Sequence, residues 1–216
     1  MLRYFICFLF SFFLASALLG GEGMQMRLMD KSKIWLSGQS TLHPYSSSST
    51  DFLIQISLEA LKKAETEGTV SELNKDQGSF FLDKRIAHLA VRVPVRSLKS
   101  GKRGLDKNLY KAMQSKLFPF IEFDMSESRI DVRPSMISIQ ADGYLKMSGK
   151  SAYKTIQAEA NWDSGVLRLS GQHTLKMSDF NLSPPVFFLV MKVDDEVTVF
   201  FDLFFRYENR ETEDGE

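Results

Sequence analysis

VPVRSLKSGKRGLDKNLYKAMQSKLFPFIEF, residues 93–123, is the stretch whose reading decides the fold. Val91, Val93 and Val95 recur at every second position, the mark of a strand with one buried face. A basic, glycine-punctuated loop follows. Leu105, Leu109, Met113 and Leu117 then recur every four residues, which predicts an amphipathic helix with Asp106 as its N-cap and Pro119 as its breaker. One helix with a cationic approach, in a chain that otherwise reads as strands, predicts a β-barrel closed at one end.

Working outward, residues 33–42 (KIWLSGQSTL) have strand composition, and residues 43–50 (HPYSSSST) read as a turn-forming serine run. Phe52, Ile54, Ile56 and Leu58 alternate with mostly polar residues, predicting a half-buried strand. Residues 58–68 (LEALKKAETEG) fit either a short helix or a charged hairpin arm. Residues 86–95 alternate with Ala87, Leu89, Val91, Val93 and Val95 on one face; Pro94 belongs at a strand end, because it has no N–H to donate. After Phe120, strands are predicted over 120–125, 136–145, 155–162, 166–174 and 196–205. In the last, Val197, Val199, Phe201, Leu203 and Phe205 share a face, with Phe200 and Phe204 opposite. Many short strands separated by turn signals, and none alternating with helices, predict an all-β antiparallel architecture.

The ends of the 216-residue chain narrow its organisation to one domain. Residues 1–21 carry Arg3, an apolar run, and Ala15-Ser16-Ala17 in the arrangement of a secretory cleavage site. The run is shorter than the roughly 20 residues a membrane-spanning helix needs, so cleavage without a lasting membrane anchor is expected, with the product in the periplasm or secreted. Residues 22–205 form the domain, and residues 206–216 (RYENRETEDGE) read as an acidic, disordered tail. The one cysteine, Cys7, leaves with the signal, and disulfide, CxxC and thiolate-metal chemistry leave with it. Net charge is zero, which argues against nucleic acid as a partner.

No cofactor or metal motif is present. His43, His88 and His173 are scattered and have no carboxylate at ligand spacing, so structural histidines are the simpler reading. GYLKMSGKS, residues 143–151, has five residues where a phosphate-binding loop needs four, and it lies between strands rather than before a helix. Asp194, Asp195 and Glu196 read as a charged turn between strands. Nothing in the chain reads as an enzyme.

Four blocks together resemble the YceI family of exported lipid-binding proteins: LSGQSTLH (36–43), residues 93–113 followed by FPFIEF (118–123), GYLKMSGKS with its neighbouring strands, and GQHTLKMSDFNLSPPVFFLVMKVDDEVTVFFDL (171–203). The resemblance implies an antiparallel, lipocalin-like eight-stranded barrel in the periplasm, whose interior holds a long isoprenoid chain, a polyprenyl phosphate or a quinone tail. The lining expected from the inward faces is Ile54, Leu89, Val91, Phe123, Ile139, Leu169, Phe201 and Leu203. Eight strands enclose either a core of their own side chains or one slender ligand. The same residues therefore fit a lipid carrier or a filled barrel serving as a structural or interaction protein of the envelope. Lys99, Lys102, Arg103 and Lys107 are the candidates for a phosphate head group near the positive helix end; solvated loop cations are the alternative.

Overall fold

The computed structural model describes residues 24–60, 84–133, 136–183, 186–187 and 191–207. The signal segment, the ambiguous charged arm beyond Ala60 and the tail from residue 208 lie outside them. The strands are β1 (Met24–Leu28), β2 (Lys33–Ser40), β3 (Tyr45–Ser49), β4 (Leu53–Ala60), β5 (Lys84–Pro94), β6 (Phe120–Arg133), β7 (Met136–Met147), β8 (Lys150–Asp163), β9 (Val166–Lys176), β10 (Val186–Phe187) and β11 (Met191–Tyr207), and the helix α1 spans Arg103–Ala112.

All pairings between these strands are antiparallel, in the order β1-β4-β5-β6-β7-β8-β9-β11, and β11 returns to β1 through Leu28↔Phe205 and Met26↔Tyr207. Among the described residues these eight strands close the expected lipocalin-like barrel. Arg206 and Tyr207, read from sequence as the start of the tail, belong to β11 and complete this closure. At its other half β11 pairs β2 instead, from Val193↔Ser40 to Asp202↔Lys33. β3 flanks β2, and its outer edge meets the loop after β5, where the Ser48 and Lys99 backbones exchange hydrogen bonds of 2.8 and 2.9 Å. The barrel is thus shut by β1 at one end and by the β2–β3 hairpin at the other.

Three sequence expectations change here. The serine run is strand β3, not a turn; serine on both faces leaves period two without contrast, although Ser47 and Ser49 are buried. Asp194, Asp195 and Glu196 lie inside β11 at a register shift between Val193 and Val197, not in a turn; the Asp195 carboxylate accepts from Ser178 N–H at 2.8 Å and Ser178 Oγ–H at 2.6 Å. Ala87 is exposed while Ile86 is buried, because a bulge opposite Ser57 and Leu58 flips the side-chain phase of β5. The rejected phosphate loop is a tight β7–β8 hairpin: Ser148 and Gly149 both have positive φ, 49° and 78°, as a two-residue I′ turn requires.

The apolar faces form two clusters. The one at the β1 end is packed solid, with Leu58, Leu167 and Phe205 wholly buried among Ile56, Ile86 and Ile137. The other lies under α1 and includes Val95, Phe180 and Met113. Outside the wall, Phe200 stacks on Trp35 at 5.3 Å, and Lys31 stands 3.9 Å from the Phe204 ring. β11 is therefore covered on both faces, as its two rows of apolar residues require.

Candidate functional site

Between the two clusters the barrel is hollow. Inward residues of β5, β6, β7, β9 and β11 bound a chamber of about 180 Å³, and a second, of about 140 Å³, lies above it beneath α1. Leu36, Ile121, Met147, Leu175 and Val199 line both, so the two are one blind tunnel with a waist. An engineered cavity of about 150 Å³ lined by aliphatic and aromatic groups stays dry and admits benzene; each chamber alone is of that size. Met113, Met147 and Met177 near the waist and mouth are unbranched and pliable, so an entering chain can widen the passage.

Of the expected lining, Leu89, Val91, Phe123, Ile139, Leu169, Phe201 and Leu203 bound the deep chamber. Ile54 packs in the solid cluster. One inward residue that pattern reading left as structural is His173, paired with Val199 on β11. Its Nε2 is buried and makes no hydrogen bond to the described residues. Burial, helped by the nearby Lys154, holds its pKa below the usual imidazole value, so the ring is neutral at pH 7. A neutral imidazole in an apolar chamber can donate to or accept from one polar atom of a guest.

The lid is α1. Leu105, Asn108, Leu109 and Ala112 face the upper chamber, while Arg103, Lys107 and Lys111 fall on the opposite face, as 3.6 residues per turn demands. Asp106 is not the N-cap; Lys102 holds that position, and the helix starts three residues earlier than the predicted cap. The Asp106 carboxylate instead accepts from Ser100 N–H at 2.8 Å and Ser100 Oγ–H at 2.6 Å, tying the first turn to the loop. Those bonds hold its pKa below the usual carboxylate range. Tyr110 ties the second turn, its hydroxyl lying 3.0 and 2.8 Å from the carbonyls of Arg96 and Leu98.

The helix ends at Ala112, well before Pro119. Gln114 takes a left-handed conformation, φ 50°; its N–H reaches Lys111 O and the Ser115 N–H reaches Tyr110 O, the two bonds of a Schellman cap. Met113 is therefore the last buried member of the four-spaced stripe, and Leu117 is 73% exposed.

The mouth is polar. Ser40, His43, Tyr45, Ser46, Ser47 and Asn108 edge it, and among the described lining residues of both chambers none is Lys, Arg, Asp or Glu. The Tyr45 ring crosses over Gly38, where a Cβ would come within 2.8 Å of it, so only glycine leaves the ring that path. Burial, reinforced by Asp194, pushes the Tyr45 hydroxyl above its usual pKa and keeps it a donor. The proposed head-group cations sit elsewhere: Lys99, Arg103 and Lys107 line an open groove on the outer face of α1, and Lys102 is exposed at the helix start.

A family model described as YceI-like domain matches residues 41–205. The chain belongs to the YceI-like family. Solved structures with the same fold include BcnA of Burkholderia cenocepacia, at 17% identity and a TM-score of 0.60 over 81% of this chain and 96% of that one. A polyisoprenoid binding domain from Saccharophagus degradans, implicated in plant cell wall breakdown, is 9% identical with a TM-score of 0.55, over 85% and 98%. The YCEI protein of Campylobacter jejuni is 14% identical with a TM-score of 0.53, over 76% and 85%. No curated protein matches the chain by sequence. This YceI-like barrel shares its fold with these neighbours, while its mouth chemistry is read from its own residues.

Proposed function

We propose that this YceI-like protein is a binding module, not an enzyme, that carries or sequesters a long apolar isoprenoid lipid, and that it works in the periplasm or outside the cell after loss of residues 1–21. The observation that carries the reading is the apolar tunnel itself, blind at the packed end and covered at the other by a helix that turns Leu105 and Leu109 inward. The domain named for polyisoprenoid binding among its structural neighbours points the same way.

Each CH₂ buried in the tunnel favours binding by about 0.8 kcal/mol, offset by the ordering of a flexible chain. Tail length then sets affinity, and the mouth sets the head group. With no Lys or Arg among the described lining and mainly hydroxyl and amide groups at the rim, an uncharged polar head such as a quinone is favoured over a phosphate, whose desolvation would go largely uncompensated.

Native mass spectrometry and organic extraction of protein purified from its own host test this. An apolar adduct, and binding of added ubiquinone or farnesol in preference to farnesyl phosphate, are expected. Protein that is ligand-free and refuses all three compounds removes the reading.

A further inference from the structure

The cations of this chain are unevenly partnered. On the barrel wall several meet acids: Arg92 with Glu122 at 3.2 Å, Arg168 with Asp202 at 2.7 Å, Lys154 with Asp179 at 2.8 Å, and Arg85 with Glu59. On the outer face of α1 they do not. Arg96, Lys99, Arg103, Lys107, Lys111 and Lys116 line one open groove, and among the described residues none of the six forms an ion pair. Its single acid, Asp106, is held by Ser100. Arg96 and Lys99 are fixed over the Tyr110 ring, at 6.0 and 5.2 Å. Leu117, the most exposed large apolar side chain described, stands at the groove's end.

We propose that this face docks the protein on an anionic phospholipid surface. Six like charges distributed over the helix and the segments on either side of it do not converge as a pocket for one small anion would. They match a plane of negative head groups, toward which lysine stems can extend while Leu117 enters the acyl boundary. A net charge of zero makes the concentration informative, since the excess on this face is balanced by acids elsewhere in the sequence. Docking sets the outer face of the lid on the bilayer. The attachment stands by itself; its use, to load and unload an isoprenoid where such lipids reside, rests on the function proposed above.

The test is co-sedimentation of the purified protein with vesicles of phosphatidylcholine alone or with about one-third phosphatidylglycerol. Binding to the mixed vesicles only, released when salt is raised from about 0.1 to 1 M, is expected. Each basic side chain near an anionic surface strengthens attachment about fivefold, so Arg103→Glu, Lys107→Glu and Lys111→Glu combined should weaken it by at least about a hundredfold. Arg85→Glu, Arg129→Glu and Arg133→Glu, the same change of net charge on the barrel wall, should leave it near its original value. A native β-rich circular dichroism spectrum and a cooperative unfolding transition in both variants verify folding without a ligand and keep this test separate from that of the ligand. Equal binding to both vesicle types, no binding to either, or equal losses in both triple variants would overturn the proposal, the second leaving an acidic protein as the face's partner.

Discussion

Ala158→Leu distinguishes a hollow barrel from a filled one by the sign of a single number. Ala158 lies on the inward face of β8, opposite Ile139, and borders the deep chamber. Leucine adds three carbons there. If the chamber of about 180 Å³ receives them, burial contributes up to about 2.4 kcal/mol at 0.8 per CH₂. Loss of leucine rotamer freedom removes about 0.5–1 kcal/mol, and imperfect fit removes more. A net gain of about 1 kcal/mol is expected, which for a domain of this size raises Tm by about 2–4 °C. In a close-packed core the same substitution forces neighbours off their rotamers and costs about 1–3 kcal/mol. The variant should also hold isoprenoid more weakly, since the leucine occupies the guest's place. Chemical denaturation with an unchanged m-value, paired with ubiquinone titration, reads both effects. Destabilisation, or stabilisation with undiminished ligand affinity, refutes the chamber as the binding volume.

His173 makes stability depend on pH. Its folded pKa is depressed, so below the unfolded value near 6.5 the unfolded chain binds the proton that the folded ring resists; stability should fall as pH drops from about 7 toward 5, and His173→Phe should flatten that slope in denaturation curves across the range. Gly143 faces the β6 bulge, where a Cβ would meet the Asp124 carbonyl oxygen and lie 2.8 Å from Met125 Cα; because both obstacles are backbone, Gly143→Ala should lower stability by about 2–3 kcal/mol by equilibrium unfolding, whereas Gly101→Ala, with open space around its Cβ, should cost only the strain of its positive φ. Asp106→Ala removes the Ser100 latch and should loosen α1 by about 1 kcal/mol, read as faster amide exchange in the helix and faster ligand release, with the global transition nearly unmoved.

What the sequence made legible follows from contrast between faces. β4 sets apolar against polar at period two, and the second half of β11 keeps one unbroken apolar face from Val197 to Phe205, so both strands and their inward faces are readable. β3 has serine on both faces, so its strand is defined by pairing to β2 and Lys99 and by nothing local. The prediction for β6 stopped at Met125 because a bulge there shifts the phase: Ile121 and Phe123 face inward before it, Ser128, Ile130 and Val132 after it. The helix end was illegible for a related reason, since the left-handed position that stops it carries glutamine rather than glycine. The tunnel wall was readable because each strand contributes to it by the same alternation. The mouth was not, because Tyr45 and Ser47 of β3, Asn108 of α1 and Val193 of β11 converge from three distant segments, and no spacing in one chain encodes their meeting. The four-residue stripe of α1 located the lid correctly, but its complement carries the second message: a helix with one apolar and one mainly cationic face has two surfaces to satisfy. The barrel covers the first, and an anionic bilayer is the surface of matching charge and extent for the second.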